Sequence, residues 1–192
     1  MNKISNIINE SIQVKIQILK SDKLLQSIEN ASKIIIEAYQ TGKKVLFCGN
    51  GGSAADAQHL AAELSGRFYY DRPPLASEAL HVNTSYITAV ANDYSYDEIY
   101  SRYITGIGNQ GDVIVGLSTS GNSGNVIKAL QRAKELNMKT ISLTGATGGK
   151  MKEVSDILIN IPSNDTPRIQ ESHIMIGHII CEIVESTLFP KP

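Results

Sequence analysis

The sequence predicts an α/β fold: a doubly wound parallel sheet, with a pair of helices before it and a long helix after it. Three observations carry this expectation. Short apolar runs at Val45–Cys48, Val113–Leu117, Thr140–Leu143 and Ile157–Ile161 are bounded by Gly, Ser, Asp or Pro, and continuously apolar strands are what a sheet covered on both faces requires. Helical patterns lie between these runs, and strands that alternate with helices imply parallel crossovers. The chain of 192 residues, 42% of them hydrophobic, suits one such domain and can bury an interior without disulfides or metal staples. Aromatics make up only 6%, with no Trp, so the core must be built from Ile, Leu, Val and Ala.

Residues 3–40 read as two helices. Ile4, Ile7, Ile8 and Ile12 stripe the first, and Leu24, Leu25, Ile28, Ala31 and Ile35 the second. Ser21 or Asp22 is the N-cap between them, and Gly42 ends the pair. After the first strand, helices are expected at about 53–66, 84–104 and 124–136, with a short strand near Glu78–Val82. A final helix over about 168–188 is apolar nearly all round, from Ile169 through Ile176 and Ile180 to Leu188. Such a helix is buried in its own core or against another subunit. Together with the striped N-terminal pair it points to a homo-oligomer. The expected organisation is therefore a single domain over 1–192, with helices at 1–41 serving oligomerisation and the α/β core at 42–192.

A formal charge of −1 and a pI near 6.4 give no global attraction toward nucleic acid or anionic membrane. Cys48 and Cys181 both sit in apolar surroundings and read as buried thiols. The stretch Met1–Leu19 alternates polar and apolar residues without the apolar core of a signal peptide, and no apolar run approaches a membrane span. A cytoplasmic protein is expected.

Two turns carry ligand chemistry. After the first strand comes Cys48-Gly49-Asn50-Gly51-Gly52-Ser53-Ala54, whose Gly49-x-Gly51-x-x-Ala54 has dinucleotide-binding spacing. The acidic partner of that motif should end the next strand. Asp71 has the right distance but lies in Tyr69-Tyr70-Asp71-Arg72-Pro73-Pro74, which cannot be a buried strand end. A nucleotide cofactor is therefore rejected, and a glycine turn facing the ligand edge of the sheet is retained. After Val113–Leu117 comes Ser118-Thr119-Ser120-Gly121-Asn122-Ser123-Gly124-Asn125, four hydroxyls and two glycines opening a helix. An ordinary cap needs one hydroxyl, whereas free N–H groups and the helix dipole beside four make a phosphate cradle. The segment Gly145–Lys150 is one residue short of a Walker motif, with Met151 where a magnesium-binding hydroxyl would stand. A sugar monophosphate suits these turns better than a nucleoside triphosphate.

His59 and Glu63 lie four residues apart on the helix after the glycine turn, hence on one face. With Asp56 they form a polar stripe beside the apolar stripe Ala57, Leu60, Ala61 and Leu64. On an arbitrary helix such a pair is solvated; next to two ligand turns it reads as functional. The final helix adds Gln170, His173 and His178. His178 is either a satisfied core histidine or one aimed into a pocket, and Glu182 one turn on could orient it.

Gly49-Asn50-Gly51-Gly52-Ser53-Ala54-Ala55-Asp56-Ala57-Gln58-His59, Ser118–Asn125 and Arg168-Ile169-Gln170-Glu171 together resemble the sugar isomerase (SIS) domain family. The resemblance covers essentially the whole chain and implies a SIS-type, flavodoxin-like sheet. It implies an aldose–ketose isomerase acting on sedoheptulose 7-phosphate and a heptose 7-phosphate, working as a homotetramer with active sites at subunit interfaces. Substrate contacts are implied from Asn50, Gly51, Gly52, Ser53, Asn92, Asp93, Ser118, Thr119, Ser120, Ser123 and Gln170, with Arg67 a further candidate. Glu63 and His178 are implied as the acid–base pair. A zinc site is implied in some members, from His59, Glu63, Gln170 and His178. Gln170 and His178 stand roughly 12 Å apart along a helix and roughly 80° around it, so they share a metal only if both side chains reach inward or different subunits supply them. Two rival readings belong to the same family: a non-enzymatic protein that binds the replication initiator, in which the position of Glu63 is not acidic, and a sugar-phosphate sensor, which would need an added DNA-binding domain.

Overall fold

A computed structural model describes residues 2–191; Met1 and Pro192, the end residues of the expected domain, lie outside them. Helices α1 (Lys3–Leu19) and α2 (Asp22–Gln40) precede β1 (Val45–Gly49) and α3 (Gly52–Ser65). Then follow β2 (Ser77–Ala79), α4 (Thr84–Asp93), a 3-10 turn (Tyr96–Glu98), α5 (Ile99–Ile107), β3 (Val113–Ser118) and α6 (Gly124–Glu135). The chain ends through β4 (Lys139–Thr144), a second 3-10 turn (Gly149–Glu153), β5 (Ile157–Asn160) and α7 (Thr166–Leu188). Five parallel strands pair in the order β2-β1-β3-β4-β5. This is the flavodoxin-like order, in which ligands bind outside the carboxyl ends of β1 and β3, where the winding reverses.

Alternation along the buried strands divides the core in two. Val45, Phe47, Val113, Val115 and Ile141 face α2, α3 and α7, with α1 packed on α2 and α7 behind them, while Leu46, Cys48 and Ile114 face α4, α5 and α6. Ser21 is the N-cap of α2, its Oγ accepting from the Leu24 N–H at 3.3 Å. Both cysteines are buried free thiols, and desolvation pushes the Cys181 thiol up to about 12. No helix among the described residues is long and apolar enough to cross a membrane.

Three boundaries differ from expectation. The helix expected over 84–104 is two helices, broken at Tyr94 and at the extended Ser95. Asn92, Asp93 and Ser95 crowd this corner, and such side chains compete with the helical backbone. Strand β2 is Ser77–Ala79 rather than Glu78–Val82: the Leu80 N–H still reaches the Phe47 carbonyl at 2.9 Å, but the chain then turns and leaves Val82 exposed. Helix α7 begins at Thr166, two residues early, because Pro167 fits a first helical turn.

His173 is a core histidine. It is fully buried, with Nε2 3.2 Å from the Thr144 carbonyl, and burial pushes its pKa down to about 4. A base held neutral in this way contributes its full stability above its unfolded value near 6.5 and loses it as pH falls toward 4. Urea unfolding should therefore show the folding constant falling by about tenfold per pH unit through this window, and His173→Gln should flatten that slope.

Candidate active site

The glycine turn and the hydroxyl-rich turn leave β1 and β3 side by side, with Gly49 in register with Leu117. Gly51 caps α3 at φ +56°, a conformation glycine adopts without strain, and no side chain caps this helix start. A β-carbon on Gly52 would stand 2.6 Å from the Gln170 Nε2. Only glycine there lets α7 bring its carboxamide against the turn. Ser53 is buried, and its N–H closes the turn on the Asn50 carbonyl at 3.0 Å.

In the second turn the hydroxyls converge on one another. Ser118 Oγ lies 2.8 Å from Ser123 Oγ and 3.4 Å from Ser120 Oγ, and Thr119 is half-buried between them in sequence. Ser123 occupies the N-cap of α6 but makes no capping bond with its side chain. The N–H groups of Gly124 and Asn125 find no acceptor among the described residues. Converged hydroxyls beside free first-turn N–H groups on the positive end of a helix are a site for an anion.

Helix α3 buries Ala57, Leu60, Ala61 and Leu64 and turns His59 and Glu63 outward toward α7. There His59 Nε2 lies 3.2 Å from Glu63 Oε1 and 2.9 Å from His178 Nε2. One potential ligand atom from each of the three lies within 4.8 Å of the others. Phe68 packs on His178 with ring centroids 5.6 Å apart. His178 is thus held by His59 and Phe68, and Glu182, expected as an orienting group, is exposed. Asp56, one turn before His59, is half-buried; burial raises its carboxyl pKa, with His59 opposing. Its Oδ2 has no partner among the described residues.

Asn92 and Asp93 bond to each other at 2.9 Å at the end of α4. Three residues later, the Tyr96 hydroxyl donates to Asn50 Oδ1 at 3.1 Å, so this corner stands beside the glycine turn. Arg67 is exposed in the loop after α3. Gln170 belongs to the glycine-turn end of α7, two turns before His178.

Sequence reasoning gave Arg72 and Glu185 no role. Arg72 is buried, its Nε 3.0 Å from Glu185 Oε1. Its remaining N–H groups donate to the carbonyls of Glu63, Leu64, Gly66 and Pro73. Glu185 also accepts from the N–H groups of Phe68 and Tyr69, at 2.9 and 2.7 Å. The pair therefore caps the end of α3 that bears Glu63 and ties the Phe68 loop to α7. Nothing in Tyr69–Pro74 distinguished an inward-facing arginine from a solvated loop residue.

Comparison with known proteins gives a consistent picture. Residues 9–145 match the family described as the SIS domain. A phosphoheptose isomerase of Aneurinibacillus thermoaerophilus is 54% identical over 186 residues, 97% of this chain and 94% of its own. Phosphoheptose isomerase 2 of Campylobacter jejuni is 54% identical over 182 residues, 95% of this chain and 90% of its own. Among solved structures, a phosphoheptose isomerase from Neisseria gonorrhoeae superposes with a TM-score of 0.90 at 42% identity, covering 96% of this chain and 97% of its own. One from Francisella tularensis does so with a TM-score of 0.91 at 37% identity and the same coverage.

Proposed function

The chain belongs to the SIS domain family, and from that premise we propose that it is an aldose–ketose isomerase converting sedoheptulose 7-phosphate to D-glycero-D-manno-heptose 7-phosphate. The observation that carries the reading is the meeting of Glu63 with His59 and His178, within 4.8 Å, in a fold that also carries a turn built for an anion. Substrate enters with its phosphate on Ser118, Thr119, Ser120 and Ser123 and the N-terminus of α6. Its sugar lies along Asn50, Gly51, Gly52 and Ser53, with Asn92, Asp93 and Gln170 beside it and Arg67, past the far end of α3, supplied by another subunit. Glu63 removes the proton from C1, beside the ketose carbonyl, leaving an enediolate. Its carboxyl exchanges that proton with solvent while the enediolate is bound and then protonates C2, and His178 moves a proton from O1 to O2. The initiator-binding reading loses its basis because an acidic residue stands at position 63.

Two imidazoles and a carboxylate are a donor set suited to zinc with an open position, and the three side chains here have the spacing for it. When bound, zinc would polarise the carbonyl oxygen of the substrate. Gln170, the fourth donor that the resemblance implies, has its carboxamide against Gly52. Isothermal titration should then show one Zn²⁺ per chain, and His59→Ala should abolish that binding.

We read the chain as one domain over residues 1–192 and as a cytoplasmic homotetramer with sites at subunit interfaces. Ile4, Ile7, Ile8 and Ile12 on α1 are 42–67% exposed, an apolar stripe that self-association would cover. The product would supply activated heptose for lipopolysaccharide or capsule. The test is incubation with sedoheptulose 7-phosphate, with and without zinc, and separation of the products. An aldoheptose phosphate supports the assignment; its absence in both conditions overturns it.

A further inference from the structure

Asn125 closes the hydroxyl-rich motif, yet the chemistry above gives it no task. Its side chain is buried at 2% exposure, where a carboxamide needs partners for its polar atoms. It finds them across the site. Asn50 Nδ2 donates to Asn125 Oδ1 at 2.8 Å, and Asn125 Nδ2 donates back to Asn50 Oδ1 at 2.9 Å. Asn125 Oδ1 also accepts from the Val126 N–H at 2.9 Å, and Asn50 Oδ1 from the Tyr96 hydroxyl at 3.1 Å. Both carbonyl oxygens thus have their two acceptor positions filled.

We infer that Asn125 is a positioning residue for the isomerase reaction: its reciprocal amide pair with Asn50 holds the glycine turn at a set distance from the phosphate cradle. One hydrogen bond between two loops is a hinge. Two antiparallel ones fix separation and orientation together, and Tyr96 locks the pair from the α4 corner. A heptose 7-phosphate spans the site with its phosphate at one end and its reacting carbons at the other. Holding one end leaves the other aligned only if the two turns keep their register, and a misplacement of about 1 Å costs about 100-fold in rate. The pair also occupies one of the two Nδ2 hydrogens of Asn50 and its carbonyl, leaving a single N–H of that side chain for substrate.

The inference rests on the assignment of these turns to sedoheptulose 7-phosphate, and the test separates the two claims. Asn125→Leu keeps the shape without the hydrogen bonds of the carboxamide, Asn50→Ala removes the partner, and Tyr96→Phe removes the third bond at an exposed position where folding is not at risk. Asn125→Leu should lower kcat/KM for sedoheptulose 7-phosphate by about 100-fold, while competitive inhibition by inorganic phosphate changes by less than about twofold. Asn50→Ala combined with Asn125→Leu should be no worse than the more damaged single variant. Tyr96→Phe should lose severalfold in kcat/KM with an unchanged melting temperature. Additive losses, unchanged kinetics in Asn125→Leu, or phosphate inhibition that weakens in step with kcat/KM would each overturn the positioning role. No turnover by the unmutated protein would overturn the assignment itself, and this inference with it.

Discussion

Glu63→Gln is expected to lower kcat by about 10²–10⁴-fold while leaving KM nearly unchanged. The substitution preserves shape and hydrogen-bonding reach, so the 3.2 Å approach to His59 Nε2 can be kept. It removes the one property the mechanism uses, a carboxylate that accepts a proton from carbon. In the proposed mechanism the phosphate and hydroxyl contacts come from other residues, and so substrate binding should survive. Steady-state kinetics beside circular dichroism would check this: a parallel loss of folded signal would assign the effect to stability instead.

The second large effect concerns stability. Arg72→Met is expected to cost about 3–5 kcal/mol in urea unfolding, because removing one partner of a buried ion pair strands the other charge. Here the stranded group is Glu185, 1% exposed, and four backbone carbonyls lose their donor as well. Replacing both residues, as in Arg72→Met with Glu185→Leu, should recover part of the loss. Burial alone would raise the Glu185 pKa; the Tyr69 and Phe68 N–H groups and the Arg72 guanidinium outweigh it and hold the carboxyl below its ordinary value. A depressed carboxylate contributes fully above its unfolded value of about 4.3 and loses that contribution as pH falls through the folded one. Acid unfolding should accordingly be shallower in Glu185→Gln than in the unmutated protein. The same pair anchors the carbonyl of Glu63, so partial unfolding at this end of α3 should also lower activity.

Much of this architecture is legible from the residues because its physical cause is local. Strands buried on both faces must be apolar throughout, and β1, β3, β4 and β5 appear where short apolar runs predict them. The break within 84–104 escapes periodicity, since Ile99, Tyr100 and Ile104 keep a helical spacing into the core while Asn92, Asp93 and Ser95 redirect the backbone. His59 and Glu63 share a face by helical geometry alone. His178 is 115 or more positions away from both, and only the packing of α7 on α3 brings it to them. His173 and His178 look alike in sequence; one turns out to be buried against Thr144 and the other to open onto His59. Arg72, Glu185, Tyr96 and Asn125 act through hydrogen bonds between distant segments, which no spacing rule encodes.

In the proposed reaction Glu63 moves a proton between C1 and C2 of a ketose phosphate through an enediolate, while His178 moves one between the oxygens. The most direct measurement is NMR of the product formed from sedoheptulose 7-phosphate in D₂O. The expected product is an aldoheptose 7-phosphate bearing deuterium at C2, formed by the unmutated protein and lost in Glu63→Gln. Product formed with protium retained at C2 in every turnover would contradict exchange through the Glu63 carboxyl, and product formed by Glu63→Gln at the unmutated rate would contradict its role as the base; no product at all would contradict the assignment of the enzyme.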